Sequence, residues 1–374
     1  MNSLSRKEHL LRLIQANPAV TQQELADQLQ LSRSAVAGYV AALIREGKIL
    51  GRAYVLPDSR PVVCIGGANL DRKLRTLNDV QMGTSNPVSQ YESFGGVARN
   101  VAENLARCGQ RVQLMSIVGD DTAGQAILSY SAEQGIDTSA CQTLAGVSSG
   151  SYTAVLDPQG EMVLALAQMD VCERLDPHFL RSRQRQRNAA AMVIADLNLP
   201  ADSLNLLLQD AQQQQQQQQQ QYIPLVLIAV SQPKMQHLPA QLHGLRLLIL
   251  NHGELEQRAG QALPDQVAIQ QAVATLRGQG VQDVIVTMGS AGVLCTRPDT
   301  DLLTAIPAPL CEVVDVTGAG DAFSAGVCYS LLQQATQLEL ACQRGQRLAA
   351  LTLQSGRTVS EQLQPNIFQE ESYA

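Results

Sequence analysis

The sequence predicts an α/β fold, a mostly parallel sheet covered by helices on both faces, preceded by a small helical module. Three observations predict it. From Pro61 onward, short apolar runs alternate with helical patterns. Those runs are nearly continuous, as strands buried on both faces require, and lack the alternation of a half-exposed sheet. The first sixty residues have another rhythm, three short helical patterns broken at Asn17-Pro18 and Leu31-Ser32.

The 374 residues suffice for one large domain and one small one. The boundaries are expected at 1–58 and 61–360, with 361–374 as a tail. Hydrophobic residues make up 45% and charged residues 16%, with a net charge of −7. That is an ordinary globular balance, and it excludes a polyanion binder by bulk charge. No apolar run is long enough to span a bilayer, and the N-terminus lacks the apolar core of a signal peptide, so no membrane partner is expected. Eight scattered cysteines, mostly inside apolar runs and with no Cys-x-x-Cys pair, read as reduced core residues of a cytoplasmic protein.

In the small module, residues 5–16 read as a helix with Leu10, Leu13 and Ile14 on one face. Thr21 caps a second helix, with Glu24 placed for a capping box, and turns Leu25, Ala26 and Leu29 inward. Ser32 caps a third that runs to about Glu46 and ends at Gly47. Residues 48–56 alternate around Gly51 as a small β-wing would. Residues 5–56 thus resemble the winged helix-turn-helix of bacterial regulators. The resemblance implies that the third helix enters the major groove of double-stranded DNA with Arg33, Ser34 and Ala37, with Tyr39 nearby. Arg45, Lys48 and Arg52 would meet phosphates. Seven basic against five acidic residues in 1–58 make a thin basic patch, and a helical appendage used for homodimerisation fits the same pattern.

In the larger domain, residues 62–65, 113–118, 190–195, 225–230, 245–250 and 284–288 read as strands. Residues 96–108 form a helix with Val97, Val101 and Leu105 one turn apart, ended by Gly109. Residues 122–134 form another. Residues 151–164 read as two strands around Asp157-Pro-Gln-Gly160, a flap over a pocket. A helix from Pro200 to about Ala211 runs into ten glutamines, residues 212–221, expected as a solvated loop or frayed helix extension. The arginine-rich segment 181–187 is expected to be a solvated helix face.

The run Asp315-Val-Thr-Gly-Ala-Gly-Asp321-Ala-Phe carries the clearest chemistry. It opens a helix whose Phe323, Val327 and Leu331 lie one turn apart. Gly318, Ala319 and Gly320 can present backbone N–H groups at its N-terminus, where anions bind. Asp321 would repel a phosphate, but it can take a proton from an attacking hydroxyl. A cradle plus a base is the minimal kit for moving a phosphoryl group onto an alcohol. The same run also fits a glycine-rich turn with Asp321 as an N-terminal helix residue.

Two more motifs accompany it, Cys64-Ile-Gly-Gly-Ala-Asn69-Leu-Asp71 and Phe94-Gly95-Gly96-Val-Ala-Arg99-Asn100. Together the three resemble the PfkB/ribokinase family of small-molecule kinases over residues 61 to about 360. The resemblance implies a ribokinase-like three-layer α/β/α sandwich with a small β lid, and a phosphotransferase that uses ATP and Mg²⁺. It implies Asp321 as general base, with Gly318, Ala319 and Gly320 as the anion hole. Asn69 and Asp71, expected at a strand's C-terminal end, would read sugar hydroxyls; alone, each also fits a strand-end turn. Gly95 and Gly96 would let the backbone approach the sugar, with Asn100 and Ser151 as further substrate contacts. Thr287, Gly289, Gly292 and Thr317 would form the ATP-binding set. Asn251-His-Gly-Glu254 matches a motif that holds hydrated Mg²⁺, although Glu254 alone also reads as a first-turn helix acid. Arg99 reads equally as a phosphate or base contact and as a surface ion pair.

Within the family, Ser85-Asn86-Pro87, Gly95 to Asn100, Ser151-Tyr152 and Val193 to Asn198 most resemble pseudouridine kinase. That implies phosphorylation of a nucleoside at its 5′-hydroxyl. A kinase for another nucleoside or a free pentose fits too, as does a regulator with a kinase-like sensor domain. The chain departs from relatives at Ile228-Ala229, where they carry Asp-Pro, and at Ile249-Leu250, where Lys-Pro is frequent; Lys234 remains.

Overall fold

The computed structural model describes residues 5–16, 20–49, 60–216, 222–297, 300, 302–333 and 337–368. At the N-terminus, α1 (Arg6–Ala16), α2 (Gln22–Leu29) and α3 (Arg33–Arg45) enclose their own core of Leu10, Ile14, Val20, Leu25, Val36, Val40 and Leu43. The caps explain where the helices start. Thr21 Oγ1 accepts from the Glu24 N–H at 3.2 Å, and the Glu24 carboxylate accepts from the Thr21 N–H at 2.7 Å. Ser32 Oγ accepts from the Ala35 N–H at 3.1 Å. These bonds satisfy N–H groups that a helix cannot satisfy itself. Most of the expected wing, with Arg52, lies outside the described residues.

The larger unit is built on a nine-stranded sheet. Its strands are β1 (Val62–Ile65), β4 (Val112–Met115), β6 (Ile136–Asp137), β10 (Met192–Asp196), β11 (Leu225–Ile228), β12 (Leu245–Asn251), β13 (Asp283–Thr287), β14 (Val293–Thr296) and β15 (Leu303–Ile306). Their order is β15-β14-β13-β12-β11-β10-β1-β4-β6, parallel from β6 to β13, with β14 and β15 antiparallel. Val63 and Ile65 of β1 enter one core, Val62 and Cys64 the other. Successive side chains of a strand point to opposite faces, so a sheet packed on both sides must be apolar throughout.

Helices complete the two outer layers. Leu204, Leu207 and Leu208 of α8 (Ala201–Gln216) and Ile269, Val273 and Leu276 of α10 (Gln266–Gly278) fill the first core. Val101 and Leu105 of α4 (Val97–Arg107), Ile127 of α5 (Thr122–Glu133), Val327 of α11 (Ala319–Leu332) and Leu348 of α12 (Leu338–Leu353) fill the second. The shorter α6 (Pro177–Ser182), α7 (Gln184–Asn188) and α9 (His252–Ala259) sit in the connections. All eight cysteines are free, and burial pushes the Cys328 thiol up to about 12, which keeps it protonated and inert.

A second sheet, β3-β2-β8-β9, is formed by β2 (Asn69–Thr76), β3 (Val88–Gly95), β8 (Gly150–Leu156) and β9 (Met162–Gln168). It contains the expected flap and two strands that the sequence did not reveal. Two short strands, β5 (Ile117–Gly119) and β7 (Gln142–Leu144), pair with each other.

The structure corrects several local expectations. The strand expected over 113–118 breaks at Ser116, whose hydroxyl donates to Gly66 O at 2.7 Å. Asn69 and Asp71 do not end a strand; they begin β2, just beyond the carboxyl end of β1. The arginine segment is not solvated throughout: Arg187 is buried and donates to Asp210 at 2.7 Å. Of the two readings of the glutamine run, the helix extension holds for its start: α8 continues through Gln216, so the first five glutamines are helical, and Gln215 donates to Tyr222 Oη at 3.2 Å.

Candidate active site

The three motifs meet at the carboxyl end of the central strands, and one buried carboxylate draws two of them together. Asp196, the last residue of β10, accepts from the Gly67 N–H at 2.9 Å and the Ala98 N–H at 3.0 Å through one oxygen. Its other oxygen accepts from the Asn198 N–H at 2.9 Å. Asp196 therefore ties the turn after β1 to the first turn of α4. Between them, Gly96 has φ +98°, and a Cβ there would strike the Gly67 backbone; only glycine permits this approach. Burial pushes the Asp196 carboxyl up, against the pull of its N–H donors.

The turn delivers Asn69 and Asp71 side by side, with Asn69 Nδ2 donating to Asp71 Oδ1 at 2.5 Å. Residues two apart in a strand share a face. Gly95 pairs with Asn69 across the ladder and lies against the Asp71 carboxylate. Burial raises the Asp71 pKa, while Asn69, Arg99 and Lys73 pull it down. Ser151 pairs with Leu70 and so shares the opposite face, away from Asp71; Tyr152 is the residue of β8 beside Asp71.

Asp321 lies in the first turn of α11, behind Gly318, whose φ is +83° and whose Cβ position would strike Thr358 O. The first helical bond runs from the Ala322 N–H to Gly318 O at 2.9 Å. The N–H groups of Gly320 and Asp321, ahead of it, have no helical acceptor. Ala319 differs from the expected trio, because its N–H is already bonded to Val316 O at 3.3 Å. Asn100 of α4 donates through Nδ2 to Asp321 Oδ2 at 2.7 Å. Burial above all, with the charges of Asp196 and Asp71, pushes the Asp321 carboxyl up to about 7; Asn100 and Arg99 oppose the shift.

Arg99 is neither a phosphate contact nor a surface pair. It is fully buried, bonded to Glu103 at 2.6 Å, to Gly95 O at 3.1 Å and to Phe94 O at 2.8 Å. It also donates to Asn100 Oδ1. That bond fixes which end of the Asn100 amide faces Asp321. The sequence signal was an arginine and a glutamate four apart on a helix, which alone reads as a surface pair.

Next to this site is a largely apolar cleft of about 500 Å³, lined by Thr287, Gly289, Gly292, Val316, Ala319, Gly320 and Phe323 among others. Its size suits a small-molecule ligand. Thr317 stands at its edge, with its N–H and hydroxyl on Asp315 Oδ1 at 2.9 and 2.7 Å. Lys73 of β2 reaches across to pair with Asp315 and donates to Thr317 Oγ1 at 3.1 Å.

Asn251 pairs with Thr287 across β12 and β13, so the Asn-x-x-Glu motif borders the same cleft. Asn251 and Glu254 form a capping box, with bonds of 2.9 and 2.7 Å. The first-turn reading of Glu254 is therefore correct, and the cap leaves Oε1 of its buried carboxylate over. No group of three or more His, Cys, Asp or Glu capable of holding a metal occurs among the described residues. One carboxylate oxygen fits Mg²⁺ that keeps its waters, not a dehydrated protein cage. Ile228, Ala229, Ile249 and Leu250 are buried where β11 and β12 end, and the Ala229 N–H donates to Ile249 O at 2.9 Å. These departures pack the sheet and contribute no polar side chain.

Residues 59–364 match the pfkB family of carbohydrate kinases, and residues 5–49 match a winged helix-turn-helix DNA-binding family. The chain is 34% identical to the uncharacterized sugar kinase YeiI of Escherichia coli (strain K12), covering 88% of each chain. It is 30% identical to pseudouridine kinase of the same strain, covering 71% of this chain and 82% of the other. A carbohydrate kinase from Agrobacterium tumefaciens superposes with a TM-score of 0.69 at 29% identity, over 82% of this chain and 95% of that one. Arabidopsis thaliana ribokinase complexed with ribose and ATP has the same fold, with a TM-score of 0.69 at 19% identity, over 81% and 96% of the two chains.

Proposed function

Because the chain belongs to the pfkB carbohydrate kinase family, and is thus a phosphotransferase with an alcohol acceptor, we propose that it transfers the γ-phosphoryl group of ATP to the 5′-hydroxyl of a nucleoside, with pseudouridine as the preferred acceptor. The observation that carries this reading is the Asp321 carboxylate, oriented by Asn100 behind a glycine-capped helix start and near Asp71. Asn69 and Asp71 hold a vicinal diol, the alcohol loses its proton to Asp321, and the phosphoryl charge meets the N–H groups of Gly318 and Gly320. The nucleotide lies along Thr287, Gly289, Gly292 and Thr317. Mg²⁺ supplies charge neutralisation on the phosphate oxygens when bound, with Glu254 and Asn251 holding its waters. The likeness to pseudouridine kinase supports the choice of acceptor.

The test is ATP consumption by the purified chain against pseudouridine, other nucleosides and free pentoses, with the product's phosphate position read by NMR. Phosphorylation of a pentose but no nucleoside would refute the choice of acceptor. Asp321 must be ionised to act, so kcat/KM should rise about tenfold per pH unit below pH 7 and level off above it, following its pKa of about 7. A profile flat from pH 5.5 to 8 would remove Asp321 as the base.

The N-terminal domain supports DNA binding as a second activity. Arg33 and Ser34 are exposed at the start of α3, and Arg45 is exposed in its last turn. Arg33→Ala should weaken binding to the chain's own promoter region and reduce its salt dependence. Unchanged affinity and salt slope would favour the domain as a dimerisation unit.

A further inference from the structure

We propose that Lys73 is a phosphate-contacting residue delivered by the lid: its ammonium reaches the terminal phosphoryl group of the nucleotide in the Gly318–Gly320 cradle and offsets the charge there during transfer. This deepens the kinase reading and rests on it. Lys73 lies two residues beyond Asp71 and four beyond Asn69 on one face of β2. A single strand therefore carries the groups that read the acceptor and a cation that reaches the donor. Its Nζ is 3.1 Å from Thr317 Oγ1 and is paired with Asp315 Oδ2, next to the residue that caps α11.

Two further observations separate this role from a purely structural pin. The loop before α11 is already shaped without the lysine, because Asp315 Oδ1 holds both the N–H and the hydroxyl of Thr317. The ammonium occupies only the second carboxylate oxygen. Among the described residues, none that lines the nucleotide cleft is Lys or Arg. Arg99 is buried and committed to Glu103, two carbonyls and Asn100. Lys234 is turned to Glu173 at 3.6 Å. A lysine ammonium has three donors, so it can keep Asp315 and Thr317 and still bond a phosphate oxygen. In the transfer, the bond from the acceptor oxygen to the γ-phosphorus forms and the bond to the β,γ-bridging oxygen breaks. The alcohol proton goes to Asp321 and ADP leaves, while Lys73 keeps its protons throughout.

The test is calorimetric titration of the full chain with ADP and with β,γ-methylene-ATP, each with Mg²⁺. Lys73→Met should weaken the triphosphate analogue by roughly 10- to 100-fold, as loss of one charged hydrogen bond predicts, and leave ADP affinity unchanged. Lys73→Arg should restore most of the difference. Where turnover occurs, kcat should fall in Lys73→Met with little change in KM for the acceptor. Equal weakening of both nucleotides, or of neither, would overturn the proposal and leave Lys73 as a lid fastener. The titration needs no acceptor. A parent chain that phosphorylates nothing in the panel would count against the nucleoside reading, and the nucleotide pair would still decide the role of Lys73.

Discussion

Asp321→Asn is expected to lower kcat by roughly 10²–10⁴-fold, the range for loss of a positioned proton acceptor. The exchange keeps size and helix start, and the Asn100 amide can still donate to the remaining side-chain oxygen. ADP should bind the variant as it binds the parent, and the unfolding transition should be retained. Those controls separate lost chemistry from lost structure. The expected rise of rate toward neutral pH should vanish with the carboxylate. Turnover close to that of the parent would move proton acceptance elsewhere, with Asp71, whose pKa burial raises, as the alternative on the acceptor side.

Asp196→Ala is expected to be the most damaging substitution for stability. It strands the N–H groups of Gly67, Ala98 and Asn198 in a site with almost no access to water. At about 1–3 kcal/mol for each unsatisfied donor, offset by relaxation, the kinase domain should lose on the order of 3–5 kcal/mol. Denaturant unfolding of parent and variant measures this. Activity should fall as well, because the Gly67 turn positions Asn69 and the start of α4 positions Asn100. Stability within about 1 kcal/mol of the parent would mean that water replaces the carboxylate, and Asp196 would no longer explain how the two motifs meet.

The sequence was most legible where a signal is local. The capping box at Thr21 and Glu24 and the apolar runs of β10 to β13 needed no knowledge of distant residues. The same holds for the hairpin around Asp157 and Gly160. Asp321 was legible because a carboxylate behind an anion cradle contradicts its surroundings. What stayed hidden depends on partners far along the chain. β2 and β3 are rich in charged and polar residues and partly exposed, so neither carries a buried period, and only their pairing makes them strands. Asp196 reads as an ordinary strand end until Gly67 and Ala98 close over it. Lys73 is 242 residues from Asp315. Arg187 looked like a surface charge, and Arg99 like a ligand contact or a surface pair, because burial of an ion pair is decided by what packs above it. Ser151 pairs with Leu70 and so lies on the face away from Asp71, which a reading of the sequence without the register of β8 could not reveal.

The helical start of the glutamine run has a genetic consequence. Residues 212–216 belong to α8, and the run is ten identical residues long. Replication slippage that adds or deletes a codon anywhere in the repeat yields the same protein, since no glutamine can be told from its neighbour. The apolar residues with which α8 packs, Leu204, Leu207, Leu208 and Ala211, all precede the repeat. A change in copy number therefore leaves the register of those buried α8 residues as it is.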